Sequence, residues 1–268
     1  MRRHSTWLLL LASTACTTAL STTQTADTLP KGHWRLTAGA NFAIPASRIV
    51  SLVDKADDIS KAYANDPNYT PTQQQQNDLE DAGLGLALNA PGPTPDLMLR
   101  YGLSDRFDAG ARYTTTGVHG DVKVQFLRDA GGWDGSLSLG YARHIFDGLA
   151  FDLLDKLHVD DFSRWDLEVP IIFGRKFGTW GRLWLGPKYD FGRYHIDAKI
   201  VNVAKTRTAD GPIHYVGGFV GFSAGYKWLH AFVELTVMDM IATPTIQDRK
   251  VDIGGIVVVP AFGLSADF

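Results

Sequence analysis

Residues 256–268 read IVVVPAFGLSADF. Ile256, Val258, Pro260, Phe262, Leu264, Ala266 and Phe268 alternate with Val257, Val259, Ala261, Gly263, Ser265 and Asp267. Successive side chains of a strand point to opposite faces. This stretch therefore carries one bulky apolar face and one face that turns small and polar toward its end. The same split recurs along the chain. Over 33–43, Trp34, Leu36, Ala38, Ala40 and Phe42 oppose Arg35, Thr37, Gly39 and Asn41. Leu97, Leu99 and Tyr101 oppose Asp96, Met98 and Arg100, and Trp165, Leu167, Val169 and Ile171 oppose Asp166 and Glu168.

The polar faces are rich in Gly, Ser, Ala and Thr with a few charges. A soluble sandwich would instead show long, solvated side chains there. Small residues suit a crowded lumen, which puts the apolar face toward lipid and the polar face inside. A soluble lipocalin-like barrel is the alternative. Ten strands are expected, near 33–43, 94–103, 107–117, 120–128, 135–145, 164–175, 180–194, 213–227, 229–241 and 251–268. Links after the even strands are short (104–106, 129–134, 176–179 and a turn at Trp228). Links after the odd ones are mostly long (44–93, 146–163, 195–212 and 242–250). The expected fold class is thus all-β: an antiparallel transmembrane β-barrel of about ten strands, with eight or twelve as alternatives and a helical insert after the first strand. An even count puts both ends of the barrel on the short-turn, periplasmic side. Pro170, Pro187 and Pro260 fall inside strands, where each removes a ladder donor and could shift the register.

Trp34, Trp133, Trp180 and Trp228 gather beside the short turns, as a membrane interface selects. Gly263, Leu264, Ala266 and Phe268 resemble the terminal assembly signal of bacterial outer-membrane β-barrels. The resemblance covers the last strand closely and the body by pattern. It implies an outer-membrane location, contact with membrane lipid and recognition by the barrel-assembly machinery.

The N-terminus, MRRHSTWLLLLASTA (1–15), has the basic, apolar and small-residue regions of a signal peptide. Cys16 follows directly and resembles the lipidated cysteine of a bacterial lipoprotein; an ordinary signal-peptidase cut is the alternative. Residues 17–32 are Ser/Thr-rich and read, with Cys16, as a flexible tether ending on the periplasmic side.

One cysteine in 268 residues excludes an internal disulfide or a multi-cysteine zinc site. A net charge of −3 with no basic stripe sets nucleic acid aside. No cofactor or metal is expected, and oligomeric state is left open. The polar faces place Arg35, Arg100, Arg112, Lys123 and Lys188 in the lumen with Asp96, Asp108, Asp166, Glu168, Asp190 and Glu234. A ten-stranded barrel is narrow and buried charges must pair. An ion-pair network that largely fills the lumen follows, with a thin conduit for a small solute as the alternative. Within 44–93, Ile49, Val50, Val53, Ala56 and Ile59 recur at helical spacing after Ser47, a candidate cap. This insert reads as a surface loop with one helix, or as a lid or plug; residues 83–88 could instead add strand. The acidic 146–163 loop reads as solvated rather than as a calcium site. His144 and His195 are candidates for a rim hydrolase, but neither has an assignable catalytic partner. A non-enzymatic structural or surface-interaction barrel is the favoured function.

Overall fold

In a computed structural model, the structure describes residues 19–65, 69, 72–75, 77, 78, 81, 88, 89, 91–145, 157–200, 206–246 and 249–268. The elements run β1 (Trp34–Ala43), α1 (Ala46–Asn65), β2 (Gly92–Ser104), β3 (Phe107–Thr114), β4 (Gly117–Ala130), β5 (Trp133–His144), β6 (Leu157–Phe177), β7 (Gly181–Ile200), β8 (Thr206–Tyr226), β9 (Leu229–Ala242), β10 (Thr245–Ile246), β11 (Arg249–Lys250) and β12 (Gly255–Asp267). Each wall strand pairs antiparallel with its neighbours, and β12 bridges β9 and β1. The barrel closes over the ladder from Arg35↔Asp267 to Asn41↔Ala261. β10 and β11 form a small hairpin added to β8 beyond the ten-stranded wall.

The prolines do not shift the register. Pro170 stands opposite Lys188 and Phe173 opposite Leu185, so one register holds on both sides of the interruption. Pro260 sits in an unbroken ladder opposite Leu235. The bulges lie elsewhere, near the turns at Gly102/Ser104, Gln125/Leu127 and Leu127/Ala130, and at Val159/Asp161 at the far end of β6. The β4–β5 turn uses Gly131 and Gly132 at φ +64° and +82°, a region that favours glycine.

The wall is uneven. β6, β7 and β8 have 20 or 21 residues, about 65 Å of strand, whereas β3 has 8, about 27 Å. Much of the expected loops 146–163 and 195–212 is therefore strand that projects above a low β3–β4 wall.

The bulky face is outside. Leu97, Val122, Leu139, Val233 and Leu264 are 48–59% exposed. An apolar surface running round the whole barrel far exceeds what a water-soluble protein presents. Aromatics ring its two levels. Trp34–Tyr101, Phe177–Trp180 and Trp228–Phe268 pair at the turn end, and Tyr141–Trp165 and Trp165–Phe191 at the other. The architecture is that of a bacterial outer-membrane barrel.

Two expectations are corrected. Residues 19–32 are not a flexible tether but a strap inside the barrel. They run from the turn end, where Gly32 N–H donates to the Gly102 carbonyl, to the low wall, where Ala19 lines a cavity with Thr114, Thr116 and Gly117. The strap thus leads away from the expected periplasmic side; Cys16 and the expected signal peptide lie outside the described residues. The helix spans Ala46–Asn65, and Ser47 does not cap it. Arg48 and Ile49 N–H donate to the Pro45 carbonyl, while Ser47 Oγ accepts from Ile256 N–H on β12. Val50 and Val53, on the apolar side of the helical pattern, are exposed. Most of 83–88 lies outside the described residues.

Candidate functional site

Alternation along each strand aims the charged residues inward, where few waters can reach them. Arg35, Asp96, Arg100, Asp108, Arg112, Lys123, Asp166, Lys188, Asp190 and Glu234 are buried, and Glu168 nearly so. Adjacent strands bring opposite charges together. Arg100 on β2 meets Asp108 on β3 and, at 2.8 Å, Asp121 on β4, with Lys123 3.3 Å from Asp108. Arg112 grips Asp96 through two bonds, at 2.8 and 2.6 Å. Lys188 lies 3.1 Å from Glu168 and 3.3 Å from Asp190. Arg35 binds Asp267 at 2.5 and 2.9 Å, and Arg182 binds the same carboxylate at 2.8 Å.

The charges do not line the whole lumen. On the β8–β9–β12 side toward the long-loop mouth, the interior is apolar. Ile213, Tyr215, Met238, Met240, Val257 and Val259 pack with Val251 and Ile253, with Leu88 from the insert and with Leu20 from the strap. Asn89 joins this cap by donating to Tyr215 Oη at 2.9 Å, and the Leu88 carbonyl accepts from Arg164.

The strap occupies what remains. The wall reads it through its main chain. Lys188 Nζ donates to the Leu20 carbonyl at 2.8 Å and Arg112 to the Ser21 carbonyl at 2.7 Å. Lys123 Nζ donates to the carbonyls of Thr25 and Asp27, at 3.0 and 2.9 Å. Thr28 N–H donates to Gln125 and Leu29 N–H to Asp108. Midway, Thr22 and Thr23 N–H donate to the two oxygens of Glu234, at 2.6 and 2.8 Å. Thr23 adopts φ +48°, so that successive amides form a concave anion-binding nest. Trp184 Nε1 and Thr236 Oγ1 complete the cradle, at 2.8 and 3.2 Å. Below it, Ala26 packs against Ile172, Trp184, Phe219 and Phe232. Asp27 faces Arg35 at 4.0 Å and Lys176 at 3.3 Å. Burial works against its charge, yet Arg35, Lys176, Arg182 and Lys123 hold its carboxyl well below the usual carboxylate range.

Small strap side chains make this fit possible: Ser, Thr and Ala leave room for the long wall residues. The voids beside the strap are accordingly slight. One of about 30 Å³, room for a water or two, lies among Arg112, Thr116, His119, His144, Asp166 and Glu168. There His144 Nε2 lies 3.1 Å from Asp166, whose carboxylate also binds Arg164. The rim histidine thus sits beside the Arg164–Asp166 ion pair. His195 lies on β7 opposite Asp210 in the ladder. Among the described residues no acidic or histidine group is arranged to hold a metal.

Asp121, Arg164, Trp184 and the strap are absent from the sequence-derived set. Asp121 shares a strand face with Lys123 and was open to the same alternation argument.

No family model matches the chain, and no curated protein matches it in sequence. Solved structures do. The attachment invasion locus protein Ail of Yersinia pestis is 9% identical, over 89% of this chain and 99% of its own, with a TM-score of 0.37. The Pseudomonas aeruginosa outer membrane protein OprG is 9% identical over 91% and 99%, with a TM-score of 0.40. Neisserial surface protein A is 7% identical over 88% and 96%, with a TM-score of 0.35.

Proposed function

We propose that this chain is an outer-membrane barrel kept closed by its own N-terminal segment, and that it works as a structural or surface-interaction protein rather than an open pore. The observation that carries this is the strap, bound along the lumen by wall side chains from Leu20 to Leu29. The short turns face the periplasm and the projecting β6–β8 wall faces outward. Membrane lipid covers the apolar exterior, the barrel-assembly machinery reads Gly263, Leu264, Ala266 and Phe268, and Cys16 is lipidated. Planar-bilayer recording tests the closed lumen. The intact protein is expected to show no steady conductance, and steady ion-selective current would overturn the reading. Fractionation tests location: a heat-modifiable band is expected in the outer membrane, and a chain confined to the soluble periplasm would refute it.

A small-solute conduit is the second reading. It is favoured by the charge-lined wall that displacement of the strap would uncover.

A further inference from the structure

The wall holds the strap chiefly through its main chain. Most of its hydrogen bonds run from wall side chains to strap main-chain groups: carbonyls at Leu20, Ser21, Thr25 and Asp27, amides at Thr22, Thr23, Thr28 and Leu29. Every peptide has these groups, so such contacts impose direction and extension rather than sequence. Strap side chains contribute by packing, through Leu20 and Ala26 in the two apolar clusters, and make fewer of the hydrogen bonds. Their polar contacts include Arg112 to Ser21 Oγ, Arg35 to Thr25 Oγ1, Thr28 Oγ1 to Gln125, and the Asp27 ion pairs. The strap forms no ladder with the wall, so removing it would leave every strand pairing intact. It joins the barrel through an exposed turn at Lys31–Gly32, where Gly32 has φ +84° and open space beside its α-carbon.

We propose that the lumen is a receptor for an extended polypeptide, and that the strap is its exchangeable resident. The partner it fits is a Ser/Thr/Ala-rich segment of another chain with an apolar residue at the Leu20 position, threaded so that its N-terminal end reaches the low β3–β4 wall. Lys188, Arg112 and Lys123 bind its carbonyls, and Glu234 binds two consecutive amides. Bulky residues are excluded where Ala26 meets Trp184. This deepens the closed-barrel reading, on which it rests.

The test begins with a site-specific protease sequence inserted between Lys31 and Gly32. The purified, folded barrel is cut there, so assembly is not at issue. A fluorescent synthetic peptide of residues 19–31 is then added and binding is followed by anisotropy. Saturable uptake that displaces the cut strap is expected. N-methylation of Thr22 and Thr23 removes both donors to Glu234 and should weaken binding by about tenfold or more. A version with Ser and Thr interchanged should bind within about threefold, since main-chain bonds do not distinguish them. Failure of the cut barrel to take up the peptide overturns the proposal, as does equal binding of the N-methylated one. Current through the uncut protein would instead overturn the closed-lumen reading, and anisotropy separates the two failures.

Discussion

Two segments flank β1, and they behave oppositely. The insert after it carries an amphipathic helix, which hydrophobic patterning offers either as a surface element or as a lid or plug. The strap before it is polar and lacks periodicity, which marks it as loose chain. In the structure α1 sits at the rim with Val50 and Val53 exposed, held to β12 by Ser47 and by Arg48 on the carbonyls of Asp252 and Gly254. The strap lies within, and of the insert's described residues Asp81, Leu88 and Asn89 are buried. The charged part of the lumen offers little apolar surface to a helix, and the apolar sector on β8, β9 and β12 is already covered by Leu20 and Leu88. The charged part has donors and acceptors in excess, and an extended chain of small residues brings a main-chain partner to many of them.

Removing the cradle at the strap's centre should break this contrast most strongly. Glu234→Ala leaves the Thr22 and Thr23 amides and the Trp184 indole without their acceptor in a buried site. The expected cost is at least about 3 kcal/mol, since each orphaned donor is worth roughly 1–3 kcal/mol. It should appear as protease or thiol-reagent access to Thr22→Cys in the folded barrel. A Thr22→Cys reporter that stays protected would mean that Glu234 does not hold the strap. Gly102→Val should act next, from the lower end. A β-carbon at Gly102 would collide with the Pro30 carbonyl oxygen, so the strap must shift where it enters. Protection of the lower strap should fall while the barrel still migrates as a folded species. An unchanged protection pattern would show that the turn can yield.

A weaker lever is pH. The Asp27 carboxylate is stabilised in the folded state, so its contribution is present above its unfolded value near 4 and is lost as pH falls below it. Strap protection should therefore begin to drop below about pH 4 and go on falling as the pH is lowered further, and Asp27→Asn should remove part of that dependence. An identical pH profile in the variant would assign the acid response to other lumen carboxylates.

The same comparison explains what the sequence can and cannot disclose. Period-two alternation marked the wall because lipid and lumen select different residues at every second position. It survived Pro170 because the ladder skips the missing donor without slipping. The luminal charges were legible by the same parity. The strap was not, because a Ser/Thr-rich stretch has the same composition whether water or protein satisfies its main chain. One signal was present. Glu234 stands opposite Gly221 on β8 and Ala261 on β12, so neither neighbouring strand offers it a cation in register. A buried carboxylate with no base across the ladder must find donors elsewhere, and here a chain segment supplies them. The apolar sector at Ile213, Met238 and Met240 was equally open to view on alternate positions, but apolar residues on a luminal face look like a parity error until Leu20 and Leu88 are seen to cover them.

The smallest expected effect is at the helix, and it is informative because it is small. Val50 and Val53 project from α1 into solvent, each about 60% exposed. Replacing both with Ser removes apolar surface that the fold does not bury, so stability should change by no more than about 0.5 kcal/mol. Thermal unfolding of the double variant and protection of the Thr22→Cys reporter measure this directly. If the two valines instead proved as costly as Glu234, the helix would have to fold down onto the mouth in the membrane. The insert, rather than the strap alone, would then close the barrel. With no such cost, α1 is a rim ornament held by Ser47 and Arg48, and closure belongs to the chain that precedes β1.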